Sequence, residues 1–121
     1  MIGGYVLDPS ALLAWCRQSS ILVQALVWSA VQDSVVLLVP STVLASTTAQ
    51  LTDADREVLD VLLGLHVTVV DPLTADQARG AGRGEQLLDV MHTLACARGR
   101  GWPVVTAHPD AYPADVATVS L

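Results

Sequence analysis

The residues of this chain that could do chemistry are few, and they stand at the ends of apolar runs. Asp8 follows Tyr5-Val6-Leu7 and precedes Pro9; Asp71 closes the run from His66 to Val70; Thr106-Ala107-His108-Pro109-Asp110 follows Val104-Val105. Asp89 and His92 lie three residues apart and share a face if their segment is helical. In an open parallel sheet the functional crevice lies beyond the carboxyl ends of the strands, and Asp8, Asp71 and His108 all stand at such ends. Two carboxylates meeting there repel unless a hard cation sits between them. Mg²⁺ takes one or two carboxylates together with waters and substrate phosphates, so the chemistry to expect is metal-assisted phosphodiester hydrolysis. Each residue also has a plainer role. Asp8 before a proline is a helix N-cap, Asp89 in a first helical turn complements the helix dipole, and His92 forms an ordinary pair with Asp89.

The elements that must position these groups follow from periodicity and punctuation. Tyr5-Val6-Leu7 is β-prone and ends at Asp8-Pro9-Ser10, where a proline suits a first helical turn. Helical spacing of apolar residues runs over Ala11 to Arg17 and again over Ile21 to Val31. Val35 to Val39 is a continuous apolar run, as in a parallel strand covered on both faces. Ser41 to Gln50 and Asp53 to Leu63 are helices, the second capped by Thr52 and ended at Gly64. His66 to Val70 is a third strand. Thr74 with Gln77 forms a capping box for a short helix that fails in Arg79 to Gly84. Glu85 to Arg98 is the longest helix and stops at Gly99; Val104-Val105-Thr106 is a fourth strand and Val116 to Val119 a fifth, at the edge. Alternating strands and helices of this kind give an α/β fold with a mainly parallel sheet, in a single domain over residues 1–121.

Composition narrows the function classes. The chain has 121 residues, 52% of them apolar and 15% charged, which excludes disorder. A mean hydropathy of +0.50 points to more apolar surface than one small domain hides, hence a homodimer or a tight protein partner. Twelve acids stand against six arginines, with a net charge of −6. A general nucleic-acid coat is therefore excluded, and any RNA contact is local. Arg79 and Arg83 in the glycine-rich segment are the local basic patch for phosphates; a solvated loop is the plainer reading. Cys16 and Cys96 lie within helical patterns, as free thiols of a reduced, cytoplasmic protein. Trp15, Trp28 and Trp102 belong to apolar segments and are core or interface anchors rather than base-stacking platforms. The N-terminus lacks a signal-peptide pattern. Polar residues interrupt Ile21 to Val39, so no spanning helix of about 20 apolar residues is expected.

Three segments together carry a resemblance: Tyr-Val-Leu-Asp-Pro-Ser-Ala-Leu-Leu-Ala at the start, Leu-Leu-Asp-Val-Met-His-Thr-Leu-Ala later, and Gly-Trp-Pro-Val-Val-Thr-Ala-His-Pro near the end. In order and spacing they resemble the PIN-domain family, and within it the small bacterial toxin ribonucleases of VapBC type. The resemblance implies a Rossmann-like three-layer sandwich with four or five strands. It also implies a Mg²⁺ or Mn²⁺ site of about four acids that activates water, and a small antitoxin as partner. Carried over by position, the first acid falls on Asp8 and the third on Asp89, the catalytic and metal-binding pair. The second falls on Ser46 and the fourth on His108, neither an acid; Thr106 is retained as a polar support on the substrate side. His108 could join Asp8 and Asp89 around Mn²⁺ or Zn²⁺, softer ions than Mg²⁺, and Asp110 is the nearby acid that could reach in instead. The expectation is therefore a PIN-like protein with an incomplete site and weak or absent Mg²⁺ binding, inactive or weakly active, that acts by binding a protein or RNA. The alternative is an active Mg²⁺- or Mn²⁺-dependent endoribonuclease of a toxin–antitoxin pair.

Overall fold

Short apolar runs bounded by polar breaks build the sheet. In the computed structural model, which describes residues 3–81 and 87–121, the strands are β1 (Gly4–Leu7), β2 (Val36–Pro40), β3 (Thr68–Asp71), β4 (Val104–Thr106) and β5 (Thr118–Ser120). All pair in parallel, in the order β3-β2-β1-β4-β5. The chain thus works outward from β1 to β3 and returns to lay β4 on the other side of β1. The crevice between β1 and β4 is where strand order reverses, the place such sheets use for function.

Successive strand residues face opposite sides, and the register makes this collective. Leu7, Leu37, Val39 and Val105 enter one core with α1 (Pro9–Cys16), α2 (Ile21–Asp33), α3 (Ser41–Thr48) and α4 (Asp53–Leu63). Val6, Leu38 and Val104 enter the other with α6 (Leu88–Arg100) and the C-terminal loop. A short α5 (Ala75–Ala81) precedes α6. Helices therefore cover both faces of an all-parallel sheet, the α/β architecture expected.

Local chemistry sets the helix starts. Ser20 caps α2 through the Val23 N–H, and Thr52 caps α4 through the Asp55 N–H. Thr74 and Gln77 exchange both bonds of a capping box at the start of α5. Gly4 opens β1 against Trp102: a Cβ there would stand 2.6 Å from the indole ring, so only glycine lets the ring lie on the strand.

Some boundaries differ from the sequence reading. Helix α6 continues through Gly99 to Arg100 and ends where Gly101 adopts a left-handed conformation (φ 68°); the second glycine, free to take positive φ, is the stop signal. It begins at Leu88 rather than Glu85, and residues 82–86, including Arg83, lie outside the described residues. His66 sits in an exposed turn before β3 rather than opening it, and β5 starts two residues later than the apolar run from Val116. Trp15 is a core residue, whereas Trp28 is 51% exposed and meets Trp15 edge-on, their ring centroids 6.0 Å apart. Among the described residues no helix is long and apolar enough to cross a membrane.

Candidate functional site at the β1–β4 crevice

Asp8 follows β1, and its side chain turns back to cap α1. Oδ1 accepts the Ala11 N–H at 3.0 Å and the Ser10 hydroxyl at 2.6 Å. The Ser10 hydroxyl oxygen in turn accepts the Ala107 N–H at 2.8 Å, tying the start of α1 to the end of β4. The carboxylate is only 4% exposed, yet its second oxygen is also answered: the Tyr112 hydroxyl donates to Oδ2 at 2.9 Å. Every inward-facing oxygen of Asp8 thus has a donor from the protein.

Tyr112 follows a single 3₁₀ turn (Pro109–Ala111) after β4 and is buried. Its phenol is held well above the usual phenol range, first by burial, then by the charge of Asp8 and its hydrogen bond, and then by the charge of Asp89. One neutral phenol therefore lies within the field of both aspartates. On α6, Asp89 accepts a 3.3 Å bond from the Ser46 hydroxyl through Oδ2 and the Val90 N–H at 2.9 Å through Oδ1. Ser46, on α3, thus meets Asp89 with a neutral oxygen. Among the described residues, no set of three carboxylate, imidazole or thiol ligands forms around Asp8 and Asp89.

The other singled-out residues are placed as follows. Thr106 is fully buried, and its hydroxyl accepts the His108 N–H at 2.9 Å, shaping the turn after β4. His108 and Asp110 have exposed side chains. Arg79 is exposed on α5. His92 is not the partner of Asp89: it is 1% exposed, and its Nδ1 pairs with the Thr42 hydroxyl at 2.9 Å. Its position one turn on aims the ring at α3 and β3 rather than back along α6. Burial pulls its imidazole below the ordinary value, against the charge of Asp71.

Two contacts escaped the sequence reading, that of Tyr112 with Asp8 and that of Cys96 with Asp71. Tyr112 lies four residues beyond His108 in a loop that the strand-end rule already marks, and a tyrosine that buries its ring needs a partner for its hydroxyl. Asp71, at the end of β3, accepts a hydrogen bond from the Cys96 thiol at 3.0 Å and pairs with Arg100 at 3.4 Å. Burial, then the bond to Asp71 and its charge, push the Cys96 thiol up to about 12. The i, i+4 spacing of His92 and Cys96 on one helix was the available signal.

No protein-family model matches the sequence, and no curated protein matches it either. Among solved structures, the chain is similar to the crystal structure of VapBC2 from Rickettsia felis bound to a DNA fragment from their promoter. The TM-score is 0.68 over 100% of this chain and 99% of that one, at 13% sequence identity. Likeness at that identity shows the fold: an α/β, PIN-like arrangement with a five-stranded parallel sheet.

Proposed function

We propose that this chain is a PIN-type protein of the VapBC kind whose acidic crevice is closed by its own tyrosine, and that it works by binding a protein partner rather than by cutting RNA. The observation that carries this reading is the Tyr112 hydroxyl on Asp8 Oδ2. A Mg²⁺ ion takes oxygen ligands at about 2.1 Å in a strict octahedron, so an ion here would compete for a carboxylate that already accepts three protein hydrogen bonds. The remaining donors, Asp89 and the neutral Ser46, offer one further negative charge. This donor set does not fit a hard divalent cation.

A protein partner fits the remaining surface. On α2, Ile21 is 86% exposed and Trp28 51%. Beside them a groove of about 380 Å³ is lined by Tyr5, Leu22, Leu26, Val35 and Val119 among others. Apolar exposure of this sort marks an interaction face, while a net charge of −6 disfavours RNA as the main ligand. The partner is an antitoxin-like chain or a second copy. The similar structure is itself named VapBC2 and is bound to DNA, which supports the first.

A second reading, a Mg²⁺- or Mn²⁺-dependent endoribonuclease, is favoured by a second acid, Asp89, whose charge reaches the phenol that binds Asp8. Incubation with total RNA at high Mn²⁺ separates the two. The proposal expects no cleavage beyond that of the Asp8→Asn variant; cleavage that Asp8→Asn abolishes would overturn it.

A further inference from the structure

One and two turns along α6 from Asp89, three side chains meet that the proposed function does not use. A ring nitrogen of His92, the Sγ of Cys96 and a carboxylate oxygen of Asp71 lie within 4.8 Å of one another. His92 and Cys96 are buried and come from successive turns of α6; Asp71 is half-buried at the end of β3. We propose that Asp71, His92 and Cys96 form a binding site for a borderline-soft divalent cation, zinc foremost, that fastens α6 to the third strand.

Three observations support it. The first is an orphan: His92 Nε2 is buried with no hydrogen-bond partner. A buried polar nitrogen left unpaired costs about 1–3 kcal/mol, and such atoms in a native fold call for an explanation. The second is the support around the ligands. The Thr42 hydroxyl engages Nδ1. If Nδ1 carries the proton and donates it to Thr42, Nε2 presents a lone pair, the usual arrangement for a metal-bound histidine. Arg100 holds Asp71 through Oδ1 and leaves Oδ2 on the thiol. The third is the donor chemistry. One thiolate, one imidazole and one carboxylate are the ligands that zinc takes, with about 2.3 Å to sulfur and about 2.0–2.2 Å to nitrogen and oxygen. A tetrahedron of those lengths puts donors about 3.5 Å apart, so side-chain shifts of an ångström or so close the site. Mg²⁺ and Ca²⁺ prefer all-oxygen sites and would not use it.

The binding step balances simply. The Cys96 thiol, which now donates its proton to Asp71, releases it to solvent as the sulfur takes the metal, and Asp71 exchanges a hydrogen bond for a coordinate bond. Three protein ligands leave a fourth position for water. His92 also borders a cleft of about 150 Å³ lined by Leu73, Gln77, Gly80, Met91 and Ala95.

The test uses the full chain, stripped with a chelator and titrated with Zn²⁺ and with Co²⁺. Roughly stoichiometric zinc should remain after desalting, with a rise in melting temperature. Co²⁺ should give a thiolate-to-cobalt charge-transfer band that survives Cys16→Ser, Asp8→Asn and Asp89→Asn. The band should vanish in Cys96→Ser, and zinc affinity should fall about 100-fold or more in His92→Gln. A folded, unsubstituted chain that shows no thiolate–cobalt band overturns the proposal. So does a band that Cys16→Ser removes or that Cys96→Ser leaves intact. Because the cobalt spectrum is read on the unsubstituted chain, a variant that fails to fold does not shelter the proposal.

Discussion

Helix α6 carries two polar clusters of opposite character. At its N-terminal end Asp89 faces the β1–β4 crevice, where both oxygens of Asp8 already receive protein donors. One and two turns further on, His92 and Cys96 face Asp71, and a buried imidazole nitrogen goes unanswered. The first cluster has the acids that a hard cation wants, but each of their oxygens already accepts a protein hydrogen bond. The second has fewer formal charges but an unspent ligand atom. Metal affinity depends on donors that remain free once the fold is complete, and counting acids in a sequence does not count those.

That contrast can be attacked from either side. The largest effect should come from opening the crevice. Ser46→Glu with Tyr112→Phe adds a carboxylate and removes the competing donor, and should raise Mg²⁺ affinity about 100-fold, the scale on which supporting groups tune metal sites; calorimetry reads it. Asp8→Ala comes next. It strips the α1 cap and leaves the Tyr112 hydroxyl and Ala11 N–H unpaired, and should cost about 2 kcal/mol in urea unfolding.

Tyr112→Phe alone should cost about 1–2 kcal/mol and should also change the alkaline limb. The folded phenol is held above its unfolded value of about 10. Its contribution is complete below that pH and is lost as pH rises through the folded value, because the unfolded chain releases the proton first. Unfolding midpoints measured from pH 9 upward should fall less steeply in the variant. The smallest effect belongs to the other cluster. His92→Leu in chelator removes an orphan nitrogen along with one bond to Thr42, and should change stability by less than about 1 kcal/mol. A loss as large as that of Asp8→Ala would mean that the two clusters do not differ as described.

Most of the architecture was legible in the sequence because it rests on local rules. Val36–Pro40 and Val104–Thr106 are unbroken apolar runs, and parallel strands covered on both faces need them. Thr52 and Thr74 mark their helices by capping chemistry. The site was harder. Asp8 and Asp89 could be singled out by strand ends and helix position, but their partners depend on contacts across the fold. Tyr112 meets Asp8 across 104 residues of chain, and Cys96 meets Asp71 across 25. His92 looked like the partner of Asp89 because i, i+3 residues share a face, yet packing of α6 on α3 turned its ring to Thr42 instead. Spacing says which side chains can meet; only the packed layers say which do.

Whether the crevice grips a hard cation decides between a binding protein and a nuclease. Calorimetric titration of Mg²⁺ and Mn²⁺ into the unsubstituted chain, with the same titration into Asp8→Asn, asks this directly. A tyrosine-closed crevice gives no saturable heat in the micromolar range and traces that overlay for the two proteins. Micromolar binding that disappears with Asp8→Asn would contradict it and return the chain to the metal-dependent nucleases.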